Sequence, residues 1–352
     1  MLRRKHFVKS LLAPAILTAV GVSACTVQRM QPVAAASATV VDDHMAHMTA
    51  EELHGPMVGE GPVDVTQQGH EGLPASAATA AARLKASPRH GEWVKIAWEP
   101  GSKDSLMAWI VYPKATGKAP VVVVVHEIFG LSTWVQSVAD QAAAEGFIAI
   151  APDLLSRVRG GPTNVTLDDT TARRLVAGVD IPTRNLGITA VANYAMMLQS
   201  AQPKYAVIGY CWGGTTVWAH AVNGGVKGFS GGVAFYGSFP YLNPGTPASS
   251  TTQAIAGTAN ADSIAKIKQP IMLLNGAGDA RIGATMPGID SLMKKFKKDY
   301  TGMNYPGAIH GYLRAQDDPA TGANAAETQA ANLAATKDAW PRTVAFLKKQ
   351  MK

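Results

Sequence analysis

Tyr205-Ala-Val-Ile-Gly209-Tyr210-Cys211-Trp212-Gly213-Gly214 runs from an apolar β-prone stretch through a reactive side chain into paired glycines. Residues 205–209 read as a strand and 211–222 as a helix, so the segment is a strand–turn–helix with Cys211 at the bend. That context presents the thiol at the carboxyl end of a strand, where a substrate can reach it. The bend is strained, and only tiny neighbours let strand and helix come so close. Cys211 also falls at a helix N-terminus, where the dipole favours negative charge, and the Trp212 N–H becomes a donor for an oxyanion.

The surrounding pattern extends the same architecture. Residues 93–98 and 106–112 flank a Gly101-Ser-Lys-Asp104 turn and predict a hairpin. Residues 121–125 are five consecutive valines, the mark of a strand buried on both faces of a parallel sheet. Beyond them strands at 147–151, 232–236 and 271–275 alternate with helices at 134–144, 185–199, 286–298 and 325–350. Alternation of this kind predicts one α/β domain over 91–352 with a mainly parallel central sheet and helices on both faces.

Two further pieces follow Cys211 in chain order. Gly276-Ala-Gly-Asp279 lies at the end of the 271–275 strand, and Asn304-Tyr-Pro-Gly-Ala-Ile-His310 places a histidine in a loop after a short strand. Nucleophile, acid and base in that order match the α/β-hydrolase arrangement, in which Asp279 fixes the His310 tautomer and His310 moves the Cys211 proton. Gly228-Phe-Ser230-Gly-Gly232 satisfies a serine-nucleophile string as text. It precedes a strand and opens no helix, so it is expected to be a turn.

Taken with Val125-His-Glu-Ile-Phe-Gly130, Ala151-Pro-Asp-Leu-Leu155 and His310-Gly-Tyr-Leu-Arg314, these segments resemble the dienelactone hydrolase family, cysteine hydrolases of the α/β-hydrolase fold. The resemblance covers roughly residues 93–350. It implies that Glu127 contacts the thiol in the resting enzyme and swings away when substrate binds. It also implies that Ile128 supplies a second oxyanion N–H and that Arg314 grips a substrate carboxylate, a task suited to a guanidinium. A further carboxylate-binding arginine is implied near 169–174, with Arg173 and Arg174 as candidates. No cofactor and no metal is implied. Three features depart from the family: an export signal, a long Ser/Thr/Ala-rich insert at 241–268, and Trp212 where leucine often follows the nucleophile.

The N-terminus is read separately. A basic start through Lys9, an apolar run at 11–22 and Ser23-Ala24-Cys25 make residues 1–24 an export signal, too short for the roughly 20 apolar residues of a membrane span. Val22-Ser-Ala-Cys25 resembles the bacterial lipobox, which makes Cys25 the lipidated first residue of a periplasmic protein anchored to the outer membrane. Residues 25–90 have the Ala/Ser/Gly/Pro composition of a flexible tether. Its His44, Met45, His47 and Met48 are taken as tether residues rather than a metal site.

These divisions reinterpret the formal charge of +7. Residues 1–24 carry four basic side chains and no acid, and 26–90 carry four basic and seven acidic ones, leaving 24 basic and 18 acidic in 91–352. The basic run at 294–298 is a solvated helix face without the interleaved aromatics of a nucleic-acid platform. The expected partner is a small ester or lactone, anionic, bound by a monomer. The competing reading is an envelope-anchored binding protein whose hydrolase domain is inactive.

Overall fold

The computed structural model describes residues 64–114, 116–163, 167–243, 257–318 and 324–352. The export signal, Cys25 and the His/Met stretch lie outside the described residues, as do residues 244–256 of the insert.

Chain order is α1 (Ala80–Ala86), β1 (Gly91–Ala97), β2 (Ser105–Val111), β3 (Ala119–Val125), α2 (Thr133–Ala144), β4 (Ile148–Pro152), α3 (Ser156–Arg159), α4 (Asp169–Ala177), α5 (Ile181–Met196), β5 (Ala201–Tyr210) and α6 (Trp212–Val222). It continues with β6 (Phe229–Phe235), β7 (Leu242–Asn243), β8 (Thr258–Ala259), α7 (Ala261–Lys266), β9 (Ile271–Gly276), α8 (Ala280–Lys295), β10 (Tyr300–Tyr305) and α9 (Ala325–Gln350).

Eight strands form one sheet in the order β1-β2-β4-β3-β5-β6-β9-β10. The β1–β2 hairpin and the β2–β4 pair are antiparallel, and every other pair is parallel. Val121–Val125 are fully buried, as the unbroken valine run requires of a strand covered on both faces. Helices pack against the sheet and close its core, α2 on β4, α6 on β5 and β6, and α9 on β6 and β9. Among the described residues no helix is long and apolar enough to cross a membrane.

Side-chain caps set several boundaries that periodicity alone misplaces. Asp180 accepts from Thr183 N–H and starts α5 at Ile181, four residues before the expected start. Asp279 does the same for α8, and Asp168 starts α4, which the periodicity did not reveal. Ser230 is a correction of another kind. It sits inside β6, because that strand begins at Phe229 beside Tyr205 of β5, and its hydroxyl donates to the Gly228 carbonyl.

The tether reading is corrected for residues 64–90. Leu73, Ala75 and Ala80 belong to the core, and Trp134 Nε1 donates to the Ala75 carbonyl at 2.9 Å. The Arg83 guanidinium gathers the carbonyls of Gln68, His70 and Leu73 and reaches Gln141 on α2. Arg89 holds the buried Asp140 carboxylate of α2 through two nitrogens. Main-chain carbonyls and small side chains do this packing, so the segment forms a strap across the domain without a hydrophobic period.

Candidate active site

Parallel register brings the carboxyl ends of five strands to one rim, since Val125 pairs with Gly209, Gly209 with Ala234, Ala234 with Leu273 and Leu274 with Met303. Such a rim is where open α/β sheets bind ligands. Glu127 follows β3, Cys211 follows β5, Tyr236 follows β6, Asp279 follows β9 and His310 follows β10.

Cys211 has φ 55° and ψ −118°, a conformation L residues avoid. The neighbouring chain enforces it. A Cβ at Gly209 would lie 2.2 Å from the Gly213 carbonyl oxygen, and one at Gly213 would lie 2.4 Å from that of Val125. Tyr236, next on the rim, is also held at positive φ, with its ring edge-on to His310 at 5.0 Å.

Asp279 divides its carboxylate between two duties. Oδ1 accepts from Ile282 N–H and caps α8, while Oδ2 accepts from His310 Nδ1 at 2.7 Å. Burial works to raise this carboxyl, but the His310 bond and charge, with Arg281 at 3.8 Å, hold it below the ordinary carboxylate value. His310 is fully enclosed, and burial opposes its charge. The negative charge and hydrogen bond of Cys211, together with Asp279, outweigh burial and push the imidazole up to about 10. An Asp–His–Cys chain connected this way can move a proton from thiol to imidazole and back.

Glu127 and Arg314 form the second charged pair. Arg314 Nε lies 2.8 Å from Glu127 Oε2, both side chains being buried. Burial works against the guanidinium charge, and Glu127 overcomes it. Cys211 also lies within electrostatic range of Arg314, so the thiol, the acid and the arginine share one neighbourhood. Glu127 is paired here with the arginine, where the sequence reading expects it on the thiol. The N–H groups of Ile128 and Trp212 donate to no backbone carbonyl among the described residues. Arg173 is half-buried and Arg174 exposed on α4, and neither takes part in the contacts above.

The chain matches the model of the dienelactone hydrolase family over residues 106–351. It belongs to that family. This dienelactone hydrolase-like hydrolase is 28% identical over 260 residues to a Synechocystis sp. protein assigned as a carboxymethylenebutenolidase, covering 72% of this chain and 95% of the relative. An Escherichia coli K12 protein of the same assignment is 32% identical over 139 residues, 39% of this chain and 50% of its own length. The crystal structure of a Klebsiella pneumoniae chain assigned as a dienelactone hydrolase superposes with a TM-score of 0.57 at 25% identity, covering 74% of this chain and 99% of that one.

The strap lies before the family match, yet it supports the loop that bears His310 and Arg314. Ala77 N–H donates to the Arg314 carbonyl at 2.9 Å, Gln316 Nε2 donates to the Pro74 carbonyl at 2.8 Å, and His70 Nε2 meets Asp317 Oδ1 at 2.8 Å. Sequence reading also left His126 and Arg184 without a role, although both are buried beside the site. His126 was signalled only by its place at the end of an otherwise apolar strand.

Proposed function

We propose that this hydrolase cleaves an anionic carboxylic ester or lactone through a thioester on Cys211. The observation that carries the reading is His310, hydrogen-bonded to Asp279 through Nδ1 and near enough to Cys211, on its strained turn, to interact with it electrostatically. Cys211 sulfur attacks the substrate carbonyl carbon, and the carbonyl π pair moves to oxygen. The Trp212 and Ile128 N–H groups hold that oxyanion. On collapse the C–O bond to the leaving alkoxide breaks, and His310 supplies its proton. His310 then takes a proton from water, whose oxygen attacks the thioester and releases the acid, and the thiol is restored.

Arg314 is the anchor for a substrate carboxylate, which must compete with Glu127 for it. Arg173 and Arg174 stand as further candidates for that anchor. The test is hydrolysis of p-nitrophenyl acetate and of a dienelactone by wild type and Cys211→Ala. Turnover should vanish in the variant, and equal rates in the two proteins would refute the reading.

Export through residues 1–24 and lipidation of Cys25 as an outer-membrane anchor rest on the sequence pattern. Mass spectrometry of the mature N-terminus should find an acylated Cys25. An unmodified N-terminus further along the chain would contradict it.

A further inference from the structure

We propose that His126 is a positioning residue that aims the oxyanion-binding N–H of Ile128 and braces that of Trp212, an inference that rests on the hydrolase reading above.

The hydrogen bonds of the ring determine its state. The Glu127 carbonyl can only accept, so His126 Nδ1, 2.6 Å away, carries the proton. The Leu154 N–H can only donate, so Nε2, at 3.1 Å, is bare. The ring is neutral and fixed in one tautomer. Asp153 Oδ1, at 3.9 Å from Nε2, therefore makes no ion pair with it and turns to Arg159 at 3.4 Å.

The consequence runs through one peptide unit. The carbonyl of Glu127 and the N–H of Ile128 are two ends of the same planar group and, in the trans form, point in opposite directions. Anchoring the carbonyl to His126 therefore turns the Ile128 N–H away from the ring. Gly130 N–H donates to the same carbonyl at 3.3 Å and holds the unit from a second side.

The face of the ring reaches the other donor. His126 stacks on the Trp212 indole with centroids 5.4 Å apart and planes inclined by 11°. The Arg184 guanidinium lies 4.3 Å from the centroid of that indole. The backbone is equally close, because a Cβ on Gly213 would lie 2.5 Å from the His126 carbonyl oxygen. A single buried imidazole thus contacts both segments whose N–H groups face the developing charge. The tryptophan that departs from the family leucine is the surface it packs on.

Two variants separate the contacts. His126→Asn keeps a donor where Nδ1 was, and His126→Gln keeps reach toward the Leu154 N–H but loses that donor. Each is compared with His126→Ala and wild type for turnover of p-nitrophenyl acetate, for the rate at which iodoacetamide alkylates Cys211, and for thermal unfolding. Alkylation needs the thiol and His310 but no oxyanion donor. The expected result is a loss of about 10²-fold in kcat for Ala and Gln, at the lower end of the effect of deleting an oxyanion donor. KM and alkylation rate should be unchanged, and Asn should recover most of the loss. If Ala misfolds, the Asn and Gln pair carries the same contrast. Alkylation falling in step with turnover, unchanged turnover in Ala and Gln, or equal losses in Asn and Gln would each overturn the inference. An active wild type with any of those results leaves the hydrolase reading standing. A wild type that turns over no ester removes both.

Discussion

Two of the buried histidines, His310 and His126, each have an aspartate nearby, and they have opposite chemistry. His310 and His126 both protonate Nδ1, one toward the Asp279 carboxylate and the other toward the Glu127 carbonyl. What faces Nε2 separates them. At His310 it is a thiol, which can give up a proton, and the imidazole is pushed up to about 10. At His126 it is the Leu154 N–H, which cannot. Burial overcomes the support of the Glu127 bond and, with the positive charges of Arg159 and Arg184 adding to it, pulls that ring down to about 3. A neighbouring aspartate does not make a catalytic base. The group opposite it does, by offering or withholding a proton.

The contrast breaks most visibly at His310. His310→Ala should lower ester turnover by roughly 10²–10⁴-fold, the usual worth of a general acid–base group, and should also slow alkylation of Cys211. His126 variants should leave alkylation alone. If His310→Ala left alkylation untouched, the two histidines would be alike, and the proton-transfer assignment would fall.

Of the two histidine regions, the loop around His310 should carry the recognition of substrate charge. Arg314→Met should weaken turnover of an anionic ester relative to a neutral one of similar size by about 10–100-fold, from loss of a charge-assisted hydrogen bond. The ratio of kcat/KM for the two esters measures this, and an unchanged ratio would separate Arg314 from substrate.

The pH dependence of stability should carry both signs. The His310 value lies above its ordinary 6.5, so its contribution is complete below 6.5 and is lost as pH rises through about 10. The His126 value lies below 6.5, so its contribution is complete above 6.5 and is lost as pH falls toward about 3. Urea unfolding across pH should show both slopes in wild type. His310→Gln should lack the alkaline slope, and His126→Asn should have a shallower acid one, part of which remains because burial also lowers His220, to about 4; a variant whose slope is unchanged would disprove the matching assignment.

The smallest effect belongs to the strap. Gln316→Leu leaves the Pro74 carbonyl without its donor and should cost about 1 kcal/mol in urea unfolding. Arg314-dependent selectivity should fall with it, while the surroundings of His126 stay intact. Unaltered stability and selectivity would show that the strap does not support the loop.

Much of this was legible before the fold was seen. The valine run, the glycine-bracketed Cys211 and the order of Asp279 and His310 carry strong local signals, because each depends on residue type at a fixed place in a strand–turn unit. Residues 64–90 carried no such signal. They pack through main-chain carbonyls, small alanines and arginine bridges, none of which produces periodicity. His126 stands in the family-like motif, but the sequence assigns it no role, because its partners are the backbone N–H of Leu154, 28 residues on, and an indole 86 residues away. The starts of α4, α5 and α8 were obscured for a simpler reason, since capping aspartates rather than apolar spacing place them.

The central claim is a thioester on Cys211, and trapping it is the most direct test. Wild type mixed with p-nitrophenyl acetate and quenched in acid should gain the mass of one acetyl group on the peptide that contains Cys211, and Cys211→Ala should gain none. Absence of the adduct, together with full turnover by Cys211→Ala, would contradict the account.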